Sequence, residues 1–308
     1  MKIYLKALSF TFAMILIVTV SFGQDVLVDV TKSYSNISTI EVEGGWLEVT
    51  YEGTSSPDVS VEAFLKSKKP NQDIIFVTVG DVLKISYKRE QSNYSWNDKN
   101  EGHIFIKGPS NMAIDFRNSS GSIFVEKVSG DQTKIQVSSG KASAMDIQGD
   151  LYIKATSGNL VVDGVSGDLD AGITSGNTKI ADVKGNVNYK STSGSLDVEN
   201  IEGEINVQLT SGNARLRNIG TLGNLKFTSG NIRAENAGLG GNTQFSGSSG
   251  AFRVQTSSDL EAFNYSLKAT SGTVKVGDSS SNKKLEIDNG SSYWVRGSIT
   301  SGRISIEN

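Results

Sequence analysis

The sequence predicts an all-β chain, a β-solenoid of two-sided rungs of about 18 residues behind an irregular N-terminal β segment. Three observations predict it. Ser-Gly pairs recur with their glycines at 121, 140, 158, 176, 194, 212, 230, 250, 272 and 302, and from Gly140 to Gly230 every gap is 18 residues. A fixed short period marks stacked supersecondary units, each burying its apolar face against the next. Between the corners, apolar residues follow the parity of two short strands per rung. Finally, 33 Gly and 3 Pro among abundant Ser, Thr, Asn and Val suit short strands with tight corners, and no amphipathic helix is evident after the first 23 residues.

Residues 1–23 read as a signal peptide. Lys2 and Lys6 precede a largely apolar run from Ala7 to Val20, then Ser21-Phe22-Gly23, with cleavage expected before Gln24. The run is short for a spanning helix, so an uncleaved anchor is the lesser reading. The mature chain is expected to be exported, to the periplasm, the outer surface or the medium, with no transmembrane segment after cleavage. The absence of cysteine excludes disulfides, a thiol nucleophile and a lipid-carrying cysteine. The formal net charge of −3 leaves no basic field for nucleic acid.

Residues 24–118 carry strand signals at Val26 to Val30, Ile40 to Val42, Trp46 to Tyr51, Val59 to Leu65, Ile74 to Val79, Val82 to Tyr87, His103 to Ile106 and Met112 to Phe116. A polar stretch from Arg89 to Gly102 reads as a surface loop carrying Tyr94 and Trp96. An open β edge invites pairing with other chains, so this segment is assigned as the N-terminal cap.

Residues 119–308 form the repeat. In the rung starting at Gly158 the inward residues are Leu160, Val162, Val165, Leu169, Ala171 and Ile173; the rung starting at Gly194 uses Leu196, Val198, Ile201, Ile205, Val207 and Leu209. A second glycine, as at Gly167 and Gly185, divides each rung into two halves. The corners Ser157-Gly158, Ser175-Gly176-Asn177, Ser193-Gly194, Ser211-Gly212 and Ser229-Gly230 are read as structural: glycine for backbone angles that a Cβ penalises, Asn177 and its equivalents for an amide ladder. Strand parity places Ser211 inside and Thr210 outside. After Gly230 the spacing loosens to 20, 22 and 30 residues, leaving an insertion with Tyr293 and Trp294, and Ile299 to Ile306 is expected to make the last rung. Tyr94, Trp96, Tyr293 and Trp294 are the candidate contact surface.

Chemistry is sparse. The outward columns Lys179, Asp197, Arg215 and Glu199, Arg217, Glu235 alternate in sign and suit a self-paired face. Asp131, Asp150 and Asp168 stack into an acidic ridge that suits calcium, although the Gly-Gly-x-Gly-x-Asp pattern of calcium-binding repeats is missing and solvated turns are favoured. A column of Thr156, Thr174, Thr192, Thr210 and Thr228 raises ice binding, but its neighbours Lys190, Gln208 and Lys226 break a flat lattice. His103 is the single histidine, with no evident Ser-His-Asp set. No catalytic residue, cofactor or metal ligand is assigned, and the chain is read as non-enzymatic.

The run Ile104-Phe105-Ile106-Lys107-Gly108-Pro109, then Met112 to Phe116, Asn118-Ser119-Ser120-Gly121, the Thr-Ser-Gly corners and the closing Ser298 to Ile306 resemble the bacterial β-strand-repeat family labelled "putative adhesin". The resemblance implies an exported, right-handed β-helix-like fold with no catalytic residues to carry over, and the Phe-Gly-Gln ending of the signal resembles exported proteins of Bacteroidota. The expected function is that of an adhesin-like surface or envelope binding protein whose partner is an envelope protein or a glycan. The alternatives are a periplasmic scaffold or sensor component that binds another envelope protein, and a carbohydrate-active β-helix enzyme.

Overall fold

A computed structural model describes residues 25–90 and 100–308. The predicted signal segment and the pair Tyr94 and Trp96 lie outside the described residues. The described chain is all-β, with seventeen strands in one hydrogen-bonded sheet that does not close, one 3-10 turn at Leu260–Ala262 and no α-helix.

At the N-terminal end lie β1 (Asp25–Tyr34), β2 (Thr39–Gly45), β3 (Glu48–Thr54), β4 (Val59–Ser67), β5 (Gln72–Val79), β6 (Val82–Arg89), β7 (Glu101–Pro109), β8 (Ala113–Asn118) and β9 (Ser122–Val128). Their stacking does not follow chain order. β2 pairs in parallel with both β6 and β8, and β3 with both β7 and β9. The first rung in the sequence, β2 and β3, is therefore intercalated between two later ones. Antiparallel strands cover the outer side: β5 lies on β6, β4 on β7 and β1 on β4. The irregularity of this segment is one of connectivity, because its central strands stack in the same parallel manner as the repeat.

The regular part consists of β10 (Gln132–Ile147), β11 (Asp150–Val165), β12 (Leu169–Val183) and the 70-residue β13 (Val187–Thr256). They pair in parallel, with Ile153 facing Ala171 and Ala171 facing Tyr189, so each residue lies over the one 18 positions on. The six inward residues of the rungs at Gly158 and Gly194 are all buried, and the stacked columns form one continuous apolar core. Burying both halves of each rung supplies the main driving force.

The corner explains the repeat. Gly176 has φ +138°, and a Cβ built there would land on the carbonyl oxygen of Gly158, far inside contact distance. The same relation runs from rung to rung: Gly194 lies on Gly176, Gly212 on Gly194 and Gly230 on Gly212. Only glycine allows both the backbone angle and the approach. The ladder skips the preceding threonine, with Ala155 facing Ile173 and Ser157 facing Ser175 while Thr156 and Thr174 stay unpaired. This break in parity corrects the placement of the serine. Ser211 is exposed together with Thr210, and so are Ser157, Ser175, Ser193 and Ser229, because alternation does not survive a residue at which the backbone turns.

Polar ladders run along the stack. Asn177 Nδ2 donates to Asn159 Oδ1 (3.4 Å), Ser195 Oγ to Asn177 Oδ1 (2.6 Å) and Asn231 Nδ2 to Asn213 Oδ1 (2.9 Å). A second ladder joins Asp182, Asn200, Asn218 and Asn236, each step 2.9 Å. These four residues have φ between 51° and 59°, the left-handed region that Asn and Asp tolerate best after glycine.

The C-terminal end repeats the device of the first. β14 (Asn264–Val276) is followed by β15 (Ser279–Ser281), β16 (Lys284–Ile287) and β17 (Trp294–Glu307). β17 pairs in parallel with β13 on one side and β14 on the other, so Ile299 to Ile306 form the penultimate rung and not the last. Accordingly Gly302 lies on Gly250, and Gly272 on Gly302. The long spacing before Gly302 is taken up by β15 and β16, which lie antiparallel on the outer edge of β14.

The corner geometry makes a paired prediction. Gly176→Val should destabilise the fold by about 3 kcal/mol or more, since the Gly158 carbonyl cannot retreat from its place in the stack, whereas Ser175→Ala should stay within about 0.5 kcal/mol. Chemical denaturation of the two variants checks it; a comparable loss in both would restore an inward, bonded serine.

Candidate functional site

The corners are occupied by structure, so the candidate site lies beside them. Strand residues two positions before the exposed Ser or Thr of each corner form a column in which Arg117, Gln136, Lys154, the buried Gly172 and Lys190 face one another in successive rungs. The 18-residue period continues it through Gln208 to Lys226. Beside it runs the exposed threonine column, and between the two lies a trough. Its larger section, about 940 Å³, extends from Tyr87 and Trp46 past Arg117 and Gln136 to Lys154 and Thr174. Its continuation, about 300 Å³, shares Lys154 and Thr174 and runs past Lys190 to Gln208 and Thr210.

Backbone economy shapes the aromatic end. Gly45 has φ +64°, and the Tyr87 ring occupies the space where its Cβ would stand. Trp46 meets Tyr87 edge to face, with ring centroids 5.9 Å apart at 81°. The Tyr87 hydroxyl donates to Gln72 Oε1 at 2.6 Å, which fixes the ring. Further along, Lys154 Nζ stands 4.1 Å from the Tyr152 ring centroid and 3.9 Å from Asp170.

Arg117 donates through Nε and Nη2 to Asp115, at 3.1 and 2.8 Å, and this contact raises its pKa. Lys134 reaches the same carboxylate at 3.6 Å. Lys190 and Lys226 have no ion-pair partner among the described residues. The trough is therefore cationic, most freely at its repeat end, on a chain whose net charge is negative.

The residues singled out from the sequence are distributed otherwise. Tyr293 is exposed, packs against Gly241 and lies 6.4 Å from Phe263 ring to ring, while Trp294 is half-buried at the start of β17. Asp150 and Asp168 accept the backbone N–H of Asp168 and Asn186 in the next rung, at 2.9 and 2.7 Å, so the ridge is spent on the stack. Among the described residues no group of three or more His, Cys, Asp or Glu is placed to hold a metal ion. His103 is stacked between Phe105 and Phe64, at 4.0 and 5.6 Å, and meets Glu62 at 3.3 Å. On the opposite half-rung, Arg217 joins Glu199 at 2.9 Å and, diagonally, Asp197 at 3.0 Å.

The Toastrack DUF4097 family profile matches residues 37–217 and, in a second placement, 167–307. The chain belongs to the Toastrack DUF4097 family. The two placements overlap, as expected where one rung resembles the next. No curated protein matches significantly. Among solved structures the chain is similar to a putative adhesin from Bacteroides fragilis (11% identity, 90% of this chain and 96% of the other, TM-score 0.39). Others are a putative adhesin from Parabacteroides distasonis (14% identity, 90% and 96%, TM-score 0.36) and a putative lipid binding protein from the same species (12% identity, 91% and 97%, TM-score 0.35). Likeness at this level carries no inference about ligand or activity.

Trp46, Tyr87 and the alternating cations were not expected as site residues. The signal was nonetheless present, since Lys154, Lys190 and Lys226 fall at twice the repeat period in one column. On the far side of the stack, Gly164 interrupts the left-handed Asx column, and burial together with the like charges of Asp182 and Asp146 raises the pKa of Asp163. A carboxyl held above its unfolded pKa adds stability only where it is protonated, and that contribution is lost as pH rises through the folded value. Asp163→Asn is therefore expected to raise the thermal midpoint at pH 7, and the gain should vanish near pH 3; a midpoint lowered at pH 7 would contradict the assignment.

Proposed function

We propose that this Toastrack protein is an exported, non-enzymatic, right-handed β-solenoid whose trough is a contact surface for adhesion or for binding a component of the cell envelope. The observation that carries the reading is the trough itself, a long open furrow with aromatic and cationic side chains, beside corners and an acidic ridge that are engaged in the stack. An open furrow that follows the stack suits an extended ligand better than a small substrate, which needs enclosure. The stacking of His103 between phenylalanines and the threading of the corner serines into the ladder support a non-catalytic role.

A second reading, a periplasmic scaffold that binds another envelope protein, is favoured by one observation. β5 is an edge strand whose Ile75, Val77 and Val79 are exposed, and such an edge accepts an added strand.

The full chain expressed in its native host is expected in an extracytoplasmic fraction, and the purified protein is expected to sediment with isolated envelopes. Cytosolic retention, or failure to sediment, would contradict the leading reading. Sedimentation lost on Ile75→Lys, with the trough intact, would favour the second.

A further inference from the structure

We propose that the trough takes an extended polysaccharide carrying one carboxylate on every second sugar; this rests on the surface-binding reading above. In the trough column the cations occupy alternate rungs, Lys154, Lys190 and Lys226, with Arg117 in phase at the aromatic end, while Gln136, Gly172 and Gln208 fill the rungs between. Rungs stack about 4.8 Å apart, so successive cations repeat at about 9.6 Å along the backbone. An extended, equatorially linked glycan advances by about one rung height per sugar. Its alternate acidic sugars thus meet the cations, and its neutral sugars meet the intervening rungs.

The rest of the trough matches this register. The threonine column at 156, 174, 192 and 210 lines the opposite wall with exposed hydroxyls that pair with sugar hydroxyls. Gly172 adds no side chain of its own between Lys154 and Lys190; it is buried, and the aliphatic stem of Lys154 lies beside it. Trp46 and Tyr87 provide apolar faces at one end, against which the C–H face of a sugar ring packs. The acids that face the furrow are Glu43, Asp115 and Asp170. Asp115 is taken by Arg117 and Lys134, and Asp170 stands near Lys154, so within this column Lys190 and Lys226 are the cations left for a ligand. A nucleic acid carries a charge on every nucleotide and fits alternate-rung cations poorly.

The test uses the full mature chain with two probes, hyaluronan hexasaccharide, which alternates a carboxylate-bearing and a neutral sugar, and chitohexaose, neutral and of equal length. Titration calorimetry should show binding of the hyaluronan fragment that weakens with salt, and roughly tenfold weaker binding of chitohexaose. K190Q/K226Q should lose roughly tenfold in affinity at an unchanged thermal midpoint, while K179Q, on the other half-rung, should change nothing. Equal affinity for the two glycans, an unaffected double variant, or tighter binding of single-stranded oligothymidylate would overturn the proposal. If the wild type sediments with envelopes yet ignores the hyaluronan fragment, the ligand class alone fails. Absence of sedimentation fails the underlying reading.

Discussion

The approach of one corner glycine to the carbonyl of the glycine below it is the constraint on which this structure depends. It requires a residue with no Cβ and a positive φ at the same point of every rung, and Gly121 through Gly272 meet both conditions. Once that contact is made, the rest of the rung is placed. The residues on either side enter parallel ladders, the next apolar residue falls inside, and the turn exposes the two hydroxyl side chains before it. The column is also a record of stacking. It runs through Gly250, Gly302 and Gly272 in that spatial order, against the order of the chain.

A parallel stack has two open ends, and both are closed in the same manner. At each end a rung distant in sequence is intercalated inside the outermost one, and antiparallel strands are laid over the outside. Intercalation ties a terminal segment on both of its edges, which counters the fraying to which ends are prone. The exception is β5, whose outer edge carries apolar side chains in place of the charges that usually protect such strands.

Much of the fold followed from periodicity. The inward columns at Leu160 to Ile173 and Leu196 to Leu209 are set by parity alone, and the corner glycines by their spacing. Parity failed at Ser211, where the backbone turns and alternation stops applying. The place of Ile299 to Ile306 in the stack was hidden for another reason: a constant spacing implies sequential stacking, and only long-range pairing reveals that β17 slips between β13 and β14. The candidate site was harder still to see. Trp46 and Tyr87 lie far apart in sequence and meet because β2 pairs with β6, while the alternation of Lys154, Lys190 and Lys226 has meaning only after the rungs are known to be in register. Tyr293 and Trp294 are aromatics in a segment of irregular spacing, a criterion that says nothing about proximity.

Function on such a scaffold is a matter of what each column presents once the stack has used its own requirements. Many asparagines and aspartates are engaged in ladders and the corner glycines in the stack, and the trough column combines aromatic and cationic side chains that the stack does not use. The account therefore rests on the stacking order, which amide hydrogen exchange tests most directly. If β17 is intercalated, the amides of Ile299 to Ile306 should exchange as slowly as those of β13, and those of β15 and β16 much faster. Rapid exchange across Ile299 to Ile306, as at a frayed terminus, would contradict it.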